Sequence, residues 1–243
     1  MNLVIDIGNT LTKYSVFING EEIFLDKTEG FSVEKLNEIL LCYTDIKAGI
    51  VSSVGNIEID AIEKLFKDKY FMVLNDKTIL PLKINYSTPS TLGKDRIAAA
   101  VGANALFPGN NILIIDAGTA ITYDFVSAEG NYEGGNISPG LNTRFKSLHH
   151  FTRKLPMVSA KEPYVLTGKS TDQAISSGVM FGMIYEILGY IHEYDKIYEN
   201  LRIILTGGDA YYFEKKLKNS IFVILNLNMI GLNRILELYV VKN

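Results

Sequence analysis

A single cysteine stands among 243 residues, so the chain can close no internal disulfide. Cys42 lies in the apolar stretch ILLCY and reads as a buried, inert thiol rather than a catalytic one. Only three histidines occur, His149, His150 and His192, and their spacing excludes a metal site of the Cys/His kind. Lys and Arg form no run, and the formal net charge is -3. That excludes nucleic acid as a main partner, since phosphate-backbone binding needs clustered cations. Small anions remain possible ligands, because a site needs only local positive charge. The N-terminus lacks a cationic region followed by an apolar stretch and a small-residue cleavage site, so a cytoplasmic protein is expected. Residues 175–191 come nearest to a membrane-length apolar run, but Ser176, Ser177 and Glu186 interrupt it. The expectation is no membrane partner but a buried helix of a soluble protein. Gly178 and Gly182, in GxxxG spacing, would pack closely against something, a second subunit included.

What is present suffices for a core. Hydrophobic residues make up 47% of the chain, and the length suits one large domain or two of about 120 residues. The informative feature is an internal repeat. LVIDIGNTLTKYSV (3–16) aligns without gaps on LIIDAGTAITYDFV (113–126) at an offset of 110. Leu3/Leu113, Ile5/Ile115, Asp6/Asp116, Gly8/Gly118, Thr12/Thr122 and Val16/Val126 are identical. Each copy reads as a β-hairpin with an Asp near its tip.

Between the hairpins, residues 33–42 and 59–70 have helical periodicity, while 48–54 and 71–75 read as strands. An Ala-rich helix is expected over 95–107, ended by Pro108-Gly109. The second half continues with a Gly-rich turn over 132–140 and a polar helix or loop to about 155. A helix follows from about 171, with Ser170 and Gln173 as a capping box. A buried strand over 202–208, a last strand, FVILN, and a helix from about 229 close the chain. Alternating strands and helices in two halves, 1–110 and 111–243, predict an α/β fold with a ligand cleft between the halves.

In DIGNTLTK, Gly8 lets backbone approach a bulky anion. Asn9, Thr10 and Thr12 offer donors to phosphate oxygens, and Lys13 supplies positive charge. Asp6 would repel phosphate unless a cation lies between them, and Mg2+ fits that role. An ordinary hairpin turn would also use Asn and Gly. The second copy, DAGTA at 116–120, sets Asp116 and Thr119 across the expected cleft from the first. LTGGDA (205–210) would let a flat ligand lie against backbone. GKST (168–171) resembles the end of a P-loop, but Pro163 stands where that motif needs glycine. It reads as a Gly turn feeding a capped helix, with the Thr171 hydroxyl free to face a substrate. In GKDR (93–96), Asp95 is either a residue satisfied by its helix dipole or a general base for an attacking hydroxyl. Arg96 would hold a substrate carboxylate in its fork.

Together, DIGNTLTK, PSTLGKDR, DAGTA, GGNISPG, GKST and LTGGDA, spanning residues 6–210, resemble the type III pantothenate kinases. That family belongs to the acetate and sugar kinase/Hsp70/actin superfamily. The resemblance implies duplicated actin-like (ribonuclease H-like) domains and ATP-dependent phosphorylation of pantothenate to 4'-phosphopantothenate, the first step of coenzyme A synthesis. Carried over by position, it makes Asp6, Gly8, Asn9, Thr10, Thr12, Lys13 and Thr119 the ATP contacts, with Mg2+ near Asp6. Asp95 becomes the proton acceptor, and Tyr86, Gly93, Lys94, Asp95, Arg96 and Thr171 line the pantothenate site. Asp116 would hold a monovalent cation, K+ or NH4+. The resemblance also implies a homodimer. A sugar or acid kinase, a phosphatase on the same fold and a non-catalytic regulator are the competing readings.

Overall fold

The computed structural model describes residues 1–8, 10–53, 55, 59–217 and 221–240. The chain divides into two compact units. The first comprises Met1–Pro108, Gly130–Tyr132 and Asn226–Asn243; the second comprises Gly109–Glu129 and Glu133–Leu225.

The first unit begins with a meander of β1 (Asn2–Ile7), β2 (Leu11–Ile18) and β3 (Glu21–Glu29). Asn19 and Gly20 join β2 to β3 with both φ angles positive, the turn geometry that matches strand twist. The sequence reading omits β3, although Asn-Gly between β-forming runs is a hairpin signal. α1 (Val33–Cys42) follows, its first turn capped by Ser32 Oγ, which accepts from Lys35 N at 3.1 Å. This helix buries Leu36 and Ile39. Cys42 is exposed, so the expectation of a buried thiol is wrong. Three residues past Ile39 and six past Leu36, it lies roughly 90° round the helix from the middle of the buried face.

β4 (Ala48–Ser53) is buried along its whole length because it is parallel to β1 on one side and to β5 (Tyr70–Val73) on the other. α2 (Ile59–Leu65) ends before the expected 70, giving way to turns closed by Phe66 N to Glu63 O and Lys69 N to Phe66 O. The two-residue β6 (Lys83–Ile84) precedes a short 3-10 turn and α3 (Lys94–Leu106).

The second unit repeats the plan. β7 (Ile112–Ala117), β8 (Ala120–Val126) and β9 (Asn131–Pro139) lead to α4 (Leu141–Phe151) and the long α5 (Thr171–Ile197). β10 (Arg202–Thr206), α6 (Ala210–Glu214), β11 (Ile221–Val223) and α7 (Leu227–Val240) complete the chain. The first sheet runs β3-β2-β1-β4-β5, and the other runs β11-β10-β7-β8-β9-β6. Within the latter, β6 pairs with Asn131 and Tyr132, all of which fall in the first unit. Read backwards from β9, the second order matches the first strand for strand. The expected α/β duplication is therefore present in topology as well as in sequence. The Gly-rich turn expected over 132–140 is instead strand β9, in which Gly134 carries φ 120. Pairing to the sheet edge overrides the local turn preference of the two glycines there.

Each unit has its own core. Leu3, Ile5, Val16, Leu36, Ile39, Val51 and Ile62 anchor the first. The second is built on Leu113, Ile115, Ile121, Tyr123, Phe145 and the inward face of α5. α5 is long and apolar enough to cross a membrane, and half of its most apolar window is buried. Val179, Met180, Met183, Ile184, Ile187 and Ile191 pack into the second core, so it is a core helix here, as expected. α7 returns to the first unit and crosses α3 at glycine. A β-carbon on Gly231 would lie 1.8 Å from Ala98 O, and one on Gly102 would lie 2.4 Å from Leu227 O.

Candidate active site

In the first unit the repeat places Asp6 on β1 opposite Lys13 of β2 and Ser52 of β4. Gly8 closes the turn by donating its N–H to Leu11 O at 3.0 Å. Thr10 is exposed, and Thr12 is fully buried with no hydrogen-bond partner for its hydroxyl. Asn9 lies outside the described residues. Loss of solvent pushes the Asp6 carboxyl above its ordinary value. Lys13, Ser52 and Asn228 oppose that rise, whereas the negative charge of Asp95 adds to it. Ser52 and Asn228 were not picked out from sequence. Ser52 and Ser53 end an otherwise apolar strand, which is the signal that could have found Ser52, while Asn228 arrives on α7 from a distant part of the chain.

Asp95 lies in the first turn of α3, after the N-cap Gly93. Its Oδ1 accepts from Arg96 N at 2.9 Å, the helix-start role that an acidic residue fills without any ligand. The carboxylate also folds over Gly93, where a β-carbon would lie 2.4 Å from Oδ1. Glycine there leaves room for the carboxylate. Lys94 Nζ reaches Ser53 O at 3.3 Å, tying the helix start to the end of β4. Arg96 is buried, its guanidinium 5.8 Å from the Tyr86 ring centre and 5.9 Å from that of Tyr132. The two ring centres lie 6.2 Å apart, so both rings meet the cation from the same side and fix its direction. Tyr132 was missed in sequence because it reaches this unit only through the pairing of β6 with β9. The structure thus gathers Asp6, Lys13, Tyr86 and Gly93 to Arg96 into one unit.

Asp116, Thr119 and Thr171 belong to the second unit. Asp116 pairs with Thr122 on β8 and with Thr206 at the end of β10. The two hairpins are not superposable residue for residue. Asp6 stands opposite Lys13, whereas Asp116 stands opposite Thr122, the equivalent of Thr12 in the gapless alignment. The second turn is one residue tighter, so a threonine takes the register position that Lys13 holds in the first. Gly207, at φ +93, packs against Asp116, and a β-carbon there would lie 2.5 Å from Asp116 Oδ1 and 2.4 Å from Ala117 O. Asp209 N donates to Ala117 O at 2.9 Å. Gly207 in LTGGDA therefore serves protein packing, while Gly208 borders open space. Thr119 is exposed, and its carbonyl accepts from Gly140 N at 3.1 Å and Thr143 Oγ1 at 2.7 Å.

Gly168 packs on the first turn of α5, where a β-carbon would lie 2.5 Å from Ala174 N. Ser170 Oγ accepts from Gln173 N at 3.3 Å, so GKST is the capped helix start expected from sequence. Thr171 is exposed and lines an open groove of about 640 Å³ with Arg144, Ala174 and Gly178. No group of three or more His, Cys, Asp or Glu is placed to hold a metal among the described residues.

Comparison with known proteins agrees with these motifs. Residues 2–193 match the family model described as type III pantothenate kinase. A type III pantothenate kinase of Cytophaga hutchinsonii is 47% identical, the match covering 98% of this chain and 99% of the relative. Two solved structures share the fold. One, from Campylobacter jejuni and named for the Baf family of transcriptional activators, gives a TM-score of 0.63 at 21% identity, covering 98% of each chain. The other is a ROK family glucokinase of Streptomyces griseus, with a TM-score of 0.53 at 13% identity and 98% of each chain covered. At those identities the likeness speaks for the actin-like fold alone. The family follows from the family model and from the relative's near-full-length identity: this chain belongs to the type III pantothenate kinases.

Proposed function

We propose that this chain transfers the γ-phosphoryl group of ATP to the primary hydroxyl of pantothenate, giving 4'-phosphopantothenate, the first step of coenzyme A synthesis. The observation that carries the reading is the adjacency, within one unit, of Asp6, Asp95 and an Arg96 held against the Tyr86 and Tyr132 rings. A carboxylate desolvated beside a second carboxylate suits a site that receives a cation. One or two carboxylates are what Mg2+ needs when phosphate oxygens supply the rest of its shell. Bound with ATP, Mg2+ supplies neutralisation of the charge that spreads over the transferred group. In this reading Asp6, Gly8, Asn9, Thr10, Thr12 and Lys13 hold the phosphates, with Thr119 from the second unit. Asp95 accepts the hydroxyl proton. Its Oδ1 is taken up by Arg96 N, which leaves Oδ2 for the substrate. Arg96 holds pantothenate's carboxylate, flanked by Tyr86, Gly93 and Lys94, with Thr171 contributing.

We assign the monovalent cation, K+ or NH4+, to Asp116, where Gly207 brings backbone against the carboxylate. We also read residues 1–110 and 111–243 as the two copies of the duplication, α3 and α7 being their matching last helices. The chain acts as a homodimer in the cytoplasm. Support for a dimer comes from α5, where Gly178, Gly182 and Gly189 have no atom within 4 Å of an added β-carbon and Tyr185 is exposed.

Purified protein assayed for ADP release tests this directly. Release should require pantothenate, be absent with hexoses or acetate, and collapse when K+ is replaced by Na+. Release with glucose, or phosphate release without any acceptor, would overturn the assignment. Equal rates in Na+ and K+ would remove the cation role of Asp116 alone.

A further inference from the structure

Glu186 is a carboxylate in the middle of α5, beside the buried Ile187 and one turn beyond Met183. It is bonded from three other elements. Its Oε2 meets Arg144 Nη2 of α4 at 2.6 Å and Ser138 Oγ of β9 at 3.4 Å. Its Oε1 accepts from Tyr123 OH of β8 at 2.9 Å. Burial, reinforced by the Glu186 charge, pushes that hydroxyl far above its ordinary pKa, so it remains a donor. Stacking of Tyr123 on Tyr190, centres 3.9 Å apart, fixes the phenol over the helix.

Arg144 extends the network in one direction. Its Nη2 also reaches Ser138 Oγ at 3.0 Å, and its Nε donates to Pro139 O at 2.7 Å. Ser138 and Pro139 lead directly into Gly140. That glycine donates its N–H to Thr119 O, and a β-carbon on it would fall 2.0 Å from Gly118 O. Thr143, one residue before Arg144, holds the same Thr119 carbonyl. A continuous path of bonded groups thus runs from Glu186 through Arg144 and Pro139–Gly140 to the 118–119 turn. An ion pair with side chains 20% and 24% exposed is a weak source of stability, because desolvation offsets much of its attraction. Its value lies in direction, since the guanidinium fork fixes carboxylate, hydroxyl and carbonyl in one geometry.

We propose that the Arg144–Glu186 pair is a positioning device for the 116–120 turn, setting it for the triphosphate of ATP. This rests on the reading that the turn contacts ATP. Arg144 also borders the groove of Thr171, so a direct role toward pantothenate is the rival explanation.

Steady-state kinetics on Arg144→Lys and Glu186→Gln separate the two. Misplacement of a binding turn should raise the KM for ATP by about 10- to 100-fold. The KM for pantothenate should stay within about threefold, and the double variant should be no worse than the poorer single one, as coupled groups require. Ser138→Ala serves where either variant folds poorly; it removes one neutral bridge and should raise the ATP KM about fivefold. An unchanged ATP KM in a variant with wild-type Tm, or a rise confined to pantothenate, overturns the positioning role. Wild-type protein without pantothenate-dependent turnover would overturn the underlying reading and this inference with it. Wild-type turnover with indifferent variants defeats this inference alone.

Discussion

The negative charge of Asp95, in the first turn of α3, raises the proton affinity of Asp6 on β1, a carboxylate already raised by loss of solvent. The like charges are set beside each other by the fold, with Lys13 the strongest counterweight. Such a pairing costs folded-state stability unless a cation shares it.

Asp6→Asn should therefore make the unliganded protein more stable while weakening it as an enzyme. The sign follows from linkage. The folded-state pKa of Asp6 lies above the unfolded value, so its penalty is fully present above the folded pKa and fades as pH falls toward the ordinary carboxylate range. Thermal unfolding without nucleotide should give the variant the higher Tm at pH 8, with the gap closing toward pH 4. Mg-ATP should raise the Tm of the wild type but not of the variant. A lower variant Tm at pH 8 would contradict the account.

Asp95→Asn should lower kcat by about 10²- to 10⁴-fold, the span of general-base assistance, while ATP binding measured by calorimetry stays nearly intact. Asparagine can still accept from Arg96 N, so the helix start survives. Near-normal turnover would leave Asp95 with its helix-start role alone.

Arg96→Gln should raise the KM for pantothenate roughly 10- to 100-fold, the worth of a charge-assisted hydrogen bond to a carboxylate. The ATP KM should move little. Unfolding should also come at lower temperature, since Tyr86 and Tyr132 lose the cation that both rings face. An unaltered pantothenate KM would remove Arg96 from the acceptor site.

Gly207→Ala should lower stability by about 1–3 kcal/mol, because the position combines φ +93 with contact distances no β-carbon tolerates. The displaced neighbours are the Ala117 carbonyl and Asp116, so the K+ concentration giving half-maximal activity should rise in the same variant. Thermal unfolding and a K+ titration check the two effects separately. A wild-type K+ response would detach Gly207 from the cation site.

Much of this was legible because it is local. The hairpins at 3–16 and 113–126, the Ser170 cap and the helix borders near 33–42 and 94–106 follow from period and punctuation within a few residues. The gapless repeat hid a difference of one residue in strand register, because turn length is decided by backbone pairing that the alignment does not contain. The two glycines of β9 signal a turn in sequence, and only pairing beside β8 makes the segment a strand. Within the site, Asp6, Asp95 and Arg96 carried recognisable chemistry in short motifs. Tyr132, Asn228 and Glu186 did not, for each reaches its partner through tertiary packing far along the chain.

The seating of α7 on α3 has a consequence for biosynthesis. A ribosome emits β1 to α3 before the second unit, yet the helix that covers Ala98 and Gly102 leaves the exit tunnel only after that unit. Asn226 and Asn233, which bond Glu22 and Asn2, arrive with it. When translation reaches Leu225, the second unit has all of its own residues, while the first still lacks one wall. The order of synthesis and the order of completion are thus opposed: of these two units, the one begun before the other is completed after it.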